Sequence, residues 1–155
     1  MARVFTVERS VTIDAPAEQI YPHVIDLRRW TTWSPWEALD PAMRHTYTAP
    51  DQGVGQSMAW TGNRKVGQGS MTITDARRPE RVRLSLTFRK PFKATNTVDI
   101  ALTSTGGTTD VQWVMAGRQN LFMQVVGKVV SMDDMLGKDF ERGLTNLKRV
   151  VEHGG

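Results

Sequence analysis

The chain contains no cysteine and only three histidines among its 155 residues. The absence of thiols excludes disulfide bonds, thiolate nucleophiles, zinc–thiolate sites and iron–sulfur clusters. The histidines, His23, His45 and His153, are dispersed along the chain, a pattern that disfavours a metal cage. We therefore expect neither a metal ion nor any other cofactor.

Long apolar runs are also missing. No stretch approaches the roughly 20 apolar residues that a membrane-spanning helix requires. The first four residues, MARV, lack the apolar stretch of a secretory signal. These features predict a cytoplasmic protein without stable membrane insertion. At this length we expect residues 1–155 to form a single domain.

A large excess of one charge is absent as well. The 20 basic and 16 acidic residues give a formal net charge of +4. The arginines gather at Arg77, Arg78, Arg81 and Arg83, around a predicted turn at Pro79. The tryptophans lie elsewhere, whereas a nucleic-acid surface usually combines basic and aromatic side chains. We predict no nucleic-acid partner.

The first part of the chain combines a strand with short helices. Residues 5–13 alternate apolar and polar side chains, as a half-buried strand does. Pro16 then follows a capping-type residue, which signals a helix start. Pro22 lies inside the helical pattern and predicts a kink or break there. Two short helices are therefore expected before Trp36.

An alternation of apolar and polar side chains begins again at residue 43 and continues to about residue 117. Turn-forming residues divide this region into six segments, so that successive strands can pair in an antiparallel meander. The predicted strands span about residues 43–48, 56–61, 68–76, 81–89, 93–104 and 108–117.

The last segment, residues 132–153, is an amphipathic helix. Its apolar side chains recur every three or four residues: Met132, Leu136, Phe140, Leu144, Leu147 and Val151. At 1.5 Å per residue this helix is about 33 Å long, enough to cross a sheet. The sequence predicts an α+β fold of order β-α-α-β6-α. A seven-stranded curved antiparallel sheet wraps around the helix, which leaves space between helix and sheet.

Three segments carry a family resemblance: IDAPAEQI at 13–20, WTTWSPWE at 30–37 and GKDFERGLTNLK at 137–148. With the order of elements, they resemble the polyketide cyclase/dehydrase family of the START-like superfamily. The resemblance covers nearly the whole chain and implies the helix-grip fold shared with birch-pollen allergens and lipid-transfer domains. Members include cyclases, hydrolases and lipid carriers, so it implies a fold more specifically than a reaction.

Strand parity assigns a set of side chains to the inner face, where they either fill a core or line a cavity. Burial alone explains apolar side chains there. The enclosing topology favours a cavity, as do the flexible methionines 58, 71, 115, 132 and 135, which adapt to apolar shapes. The predicted ligand-binding residues are Trp33, Tyr47, Met58, Trp60, Met71, Leu84, Leu86, Phe88, Asn96, Val98, Trp113, Met115, Leu136 and Phe140.

Several of these residues have two interpretations. Trp30, Trp33 and Trp36 recur every three residues and form either a plug at one end of the sheet or a lid on the cavity. Tyr47 presents its hydroxyl either to a ligand or to the backbone. Asn96 shares the parity of its apolar neighbours, so its amide either orients a ligand or meets solvent at the cavity mouth.

No catalytic motif is recognisable. The chain has no serine motif with a base at a telling spacing, and His23 and His45 are interpreted as surface or hydrogen-bonded histidines. Residues 62–69 have the glycine spacing of a phosphate loop but lack its Lys and Ser/Thr. Whether the protein is an enzyme stays open, and no catalytic residue is assigned.

The sequence favours a protein that binds a hydrophobic or aromatic small molecule of the lipid, polyketide or isoprenoid class. One alternative is a polyketide cyclase/dehydrase-type enzyme, which needs an ionisable group facing the cavity. Another is a non-catalytic interaction module, with a filled core and an exposed apolar surface involving residues 121–130. The chain is expected to be a monomer or a homodimer.

Overall fold

The structure is a computed structural model that describes residues 4–90, 93–118 and 132–153. These residues form seven strands, two α-helices and two single-turn 3-10 helices. The α-helices are α1 (Ala17–Ile25) and α2 (Met132–Glu152), and the 3-10 helices span Arg29–Thr32 and Glu37–Leu39. The strands are β1 (Val4–Ile13), β2 (Arg44–Thr48), β3 (Ser57–Thr61), β4 (Gln68–Arg77), β5 (Arg81–Lys90), β6 (Ala94–Thr105) and β7 (Thr108–Arg118).

The seven strands form one antiparallel sheet in the order β1-β7-β6-β5-β4-β3-β2. Strands β2 to β7 follow one another as neighbours, and β1 pairs with β7, where Val7 lies opposite Met115. The predicted fold class is confirmed, and each strand of the meander begins and ends within about one residue of its predicted bounds.

The break that we considered at Pro22 is not observed. α1 runs from Ala17 to Ile25 and is not broken at Pro22. Pro22 has no amide to donate to the Glu18 carbonyl. Glu18 is exposed, so water can hydrogen-bond that carbonyl instead. The second short helix expected before Trp36 is the 3-10 helix Arg29–Thr32 rather than an α-helix, and the other 3-10 helix follows Trp36.

The C-terminal helix α2 is attached to β1 at one edge of the sheet. The Arg9 guanidinium lies 2.9 Å from the Glu141 carboxylate, and Lys148 Nζ donates to the Thr12 carbonyl over 2.8 Å. The inner side of α2 buries Phe140, Leu144 and Leu147. Because α2 packs mainly on β1, space is left between the helix and the inner faces of β3 to β6.

Candidate functional site

A cavity of about 430 Å³ occupies the space between α2 and the sheet. Most of the side chains around it are apolar or aromatic. Parity positions the strand residues, because alternate side chains of β3 to β7 point to the inner face. Of the fourteen predicted residues, eleven line the cavity: Met58, Trp60, Met71, Leu86, Phe88, Asn96, Val98, Trp113, Met115, Leu136 and Phe140.

The other three predicted residues do not line the cavity. Trp33 is 1% exposed and its indole Nε1 donates to the His23 carbonyl, so it packs behind the cavity wall. Leu84 is fully buried in β5, within the solid part of the core. Tyr47 is half-buried beneath the Arg28 guanidinium, which lies 4.4 Å from the centroid of its ring. The side chains of Met132 and Met135 lie outside the described residues.

An aromatic cluster closes one end of the cavity. The Trp113 and Phe140 rings stack in parallel with centroids 4.2 Å apart. Trp30, Trp33 and Trp36 each meet Trp113 edge-to-face, with centroids 5.5 to 5.9 Å apart. These are favourable aromatic geometries. The packing favours the plug over the lid, with Trp30 and Trp36 contributing to the cavity wall.

Three buried polar atoms of residues in this wall have no hydrogen-bond partner among the described residues. They are Asn96 Oδ1, Trp113 Nε1 and His45 Nε2. Asn96 is only 4% exposed, and its amide packs against Gly117 so closely that a Cβ at position 117 would overlap it. Leaving a buried amide unpaired costs about 1–3 kcal/mol. Such a cost is typical of functional sites, where a ligand can supply the missing partner.

His45 and Glu37 bring an ionisable pair into the cavity wall. His45 Nε2 lies 2.8 Å from Glu37 Oε1, although out of line for a hydrogen bond. The imidazole also stacks on Tyr47, with ring centroids 6.1 Å apart. Burial, and then the Glu37 carboxylate, raises the pKa of Tyr47 above its ordinary value. His45 was not predicted at this site, although it has the same strand parity as Tyr47 on β2.

Three basic side chains that were not predicted at the site also line the cavity. Arg64 and Lys65 lie on the turn between β3 and β4, and Lys90 ends β5. The register places Lys90 opposite Gln68, which begins β4 just after that turn. We name these three residues the basic rim. All three are exposed, and within the described part of the chain none forms an ion pair.

The turn that carries Arg64 and Lys65 is held by Asn63. Its side chain donates to the Leu39 carbonyl over 3.0 Å and accepts from the Lys65 amide over 2.9 Å. The backbone N–H of Asn63 donates to Asp40 Oδ2 over 2.8 Å. The turn is thereby tied to the second 3-10 helix, and the backbone of Arg64 and Lys65 has a defined position beside the cavity.

The arginine-rich hairpin between β4 and β5 is neutralised by acidic neighbours. Arg81 lies 3.0 Å from Asp75, and Arg83 lies 2.8 Å from Asp99. These pairs leave the hairpin with less free positive charge than the sequence suggests.

Large exposed apolar side chains are scarce in the described parts of the chain, where only Val54, 55% exposed, is of this kind. The apolar segment 121–130 lies outside the described residues. No helix in the described ranges is long and apolar enough to cross a membrane.

The family resemblance is confirmed by comparison with known families. A family model described as "Polyketide cyclase / dehydrase and lipid transport" matches residues 4–152. No curated protein matches the chain.

Solved structures with the same fold cover almost the whole chain. A protein from Chromobacterium violaceum is 16% identical with a TM-score of 0.69, over 95% of this chain and 96% of that one. The Aha1 dimer from Colwellia psychrerythraea is 14% identical with a TM-score of 0.66, over 96% of each chain. A point mutant of Thalictrum flavum norcoclaurine synthase, in complex with a transition-state analogue, is 12% identical with a TM-score of 0.66, over 100% and 99%. These likenesses show the fold alone.

Proposed function

Because the chain belongs to the polyketide cyclase/dehydrase and lipid transport family, we propose that it binds a hydrophobic or aromatic small molecule between the sheet and α2. Lipids, polyketides and isoprenoids are the classes that fit. The observation that carries the proposal is the cavity of about 430 Å³. Small-molecule sites are typically apolar spaces of about 300–1,000 Å³ with a few polar groups.

The wall supplies both shape and orientation. Met58, Met71 and Met115 bring flexible thioethers, which adapt to ligands of different shapes. Asn96 Oδ1 has no hydrogen-bond partner among the described residues, so a hydrogen-bond donor of the ligand is its natural partner. We infer that the apolar body packs against the methionines and that Asn96 fixes its direction.

Filling the cavity tests this function. Ala94 lies in the cavity wall on β6, and Ala94→Trp is expected to lower ligand affinity at least tenfold because the indole occupies the ligand's space. The measurement is native mass spectrometry after incubation with fatty acids, flavonoids and aromatic polyketides. Ala101→Trp is the matched control, because residue 101 lies on the same strand with the opposite parity.

The control variant should bind as the unchanged protein does. Equal binding by Ala94→Trp would show that the ligand lies elsewhere. An unchanged protein that binds nothing in this panel would contradict the proposal.

A second candidate function is an enzyme of the cyclase/dehydrase type, which the His45–Glu37 pair favours. With Nε2 turned to Glu37, Nδ1 is the nitrogen left for a ligand. It would remove a proton from a carbon beside a carbonyl and leave an enolate, while the Glu37 carboxylate stabilises the imidazolium. General-base catalysis of this kind contributes about 10²–10⁴-fold.

Deuterium exchange tests this candidate with 2-tetralone as the probe. The protein should accelerate incorporation of deuterium beside the carbonyl in D₂O, followed by NMR. His45→Gln is expected to reduce this acceleration about 100-fold. His23→Gln is the control, because the cavity wall does not include His23. If the unchanged protein gives no acceleration, or His45→Gln retains it, His45 is not a base.

The interaction module is disfavoured. It predicts a filled core, whereas the described residues enclose a cavity. The apolar surface that it places at residues 121–130 lies outside the described residues and stays a prediction. The cytoplasmic location and the choice between monomer and homodimer stay predictions.

A further inference from the structure

The cavity wall carries more basic than acidic side chains, and the acidic ones already contact other residues of the protein. Its two carboxylates are engaged: Glu37 contacts His45, and Asp139 pairs with Arg142 one turn along α2. The basic rim has no corresponding acidic partner in the described ranges. The free charge at this cavity is therefore positive.

The fold also brings the three residues of the basic rim close to one another. Arg64 and Lys65 share one turn, and Lys90 lies beside the strand that leaves it. All three side chains reach both the cavity and solvent. A ligand that lies in the cavity can therefore meet several of them with one end, while its other end stays among apolar side chains.

We propose that the ligand is an amphipathic carboxylic acid whose carboxylate lies at the basic rim and whose apolar body extends inward. This inference rests on the proposed function and names the class of its ligand. A carboxylate accepts charge-assisted hydrogen bonds from Arg and Lys, which are stronger than those between neutral groups. Binding is favoured further because the apolar part leaves water and packs against Met58, Met71 and Leu86 in the cavity wall.

A matched pair of ligands isolates the carboxylate. Dodecanoic acid and dodecan-1-ol share one chain, so the cavity should hold both and only the acid should engage the rim. We expect the acid to bind about tenfold more tightly, because three exposed ion pairs each contribute modestly. The preference should fall as salt is added, since exposed charges are screened. Tryptophan fluorescence titration of the full chain measures both affinities.

The rim variant is the triple substitution Arg64→Gln, Lys65→Gln and Lys90→Gln. It should bind the acid and the alcohol alike and keep the affinity of the unchanged protein for the alcohol. The control variant is Arg77→Gln, Arg89→Gln and Lys138→Gln. It removes the same net charge from exposed residues outside the cavity wall and should keep the tenfold preference.

The outcomes separate this inference from the function on which it rests. Equal binding of acid and alcohol by the unchanged protein, or a preference retained by the rim variant, would overturn the carboxylate assignment and leave the ligand-binding function intact. Failure of the unchanged protein to bind either ligand would overturn the assignment and also count against the cavity as a binding site.

Discussion

Replacing Phe140 with alanine is expected to lower the free energy of unfolding by about 3–5 kcal/mol, as measured by chemical denaturation. The ring is fully buried and stacks on Trp113 at an interplanar angle of 4°. It also meets Trp36 edge-to-face. Alanine therefore removes apolar burial and two aromatic contacts at once, and it opens new space at the inner end of the cavity.

Leu136→Ala is the matched control for this prediction. Leu136 lies one turn earlier on the same helix and also lines the cavity, but it is only half-buried. Because less of the Leu136 side chain leaves water on folding, Leu136→Ala should lower the free energy of unfolding by about half as much as Phe140→Ala, or less. If Phe140→Ala costs no more than Leu136→Ala, the Trp113–Phe140 stack does not anchor α2 to the sheet.

The fold could be predicted because apolar side chains recur at every second residue in the strands and at every third or fourth residue in the C-terminal helix. The alternation of β6 was predicted over about residues 93–104 and is observed at Ala94–Thr105. The helical stripe of α2 likewise predicted Phe140, Leu144 and Leu147 as its buried side. Pro22 did not end α1, because a proline removes only one hydrogen bond from a short helix, and the residue four positions earlier, Glu18, is exposed to water.

The cavity was predictable only in part, for a related reason. Parity states which face a strand residue occupies, and eleven predicted side chains meet at one space as a result. Parity does not separate a cavity wall from solid core on the same face, so Leu84 and Trp60 received the same prediction. Turn residues follow no repeating pattern that assigns a side chain to one face. The sequence therefore did not predict that Arg64 and Lys65 line the cavity.

The polar groups of the cavity divide its wall into regions with different chemistry. The basic rim, the His45–Glu37 pair and Asn96 all line the cavity, together with a majority of apolar side chains. A simple apolar carrier needs no such arrangement. A bound acid would be fixed at the rim, with its body directed past these groups, and this orientation is what either selective binding or catalysis at one carbon requires.

The second large effect is expected at Gln56, a fully buried side chain that no sequence motif revealed. Its Oε1 accepts from the Leu27 amide over 2.7 Å. Its Nε2 donates to the Asp51 carbonyl over 2.7 Å and to the Asp26 carboxylate over 3.1 Å. One side chain thus joins the end of α1 to the loop before β3.

Gln56→Met is expected to destabilise the protein by about 2–4 kcal/mol, because methionine keeps the volume and leaves the Leu27 amide and the Asp51 carbonyl unpaired. Chemical denaturation measures the loss. Gln52→Met is the control, since Gln52 is exposed in the same loop and should change stability by less than about 0.5 kcal/mol. Equal losses in the two variants would contradict the role of these hydrogen bonds. Leu27 also lines the cavity, so Gln56→Met should weaken ligand binding as well, and the interior hydrogen bonds of this one side chain would then contribute to both the fold and the site.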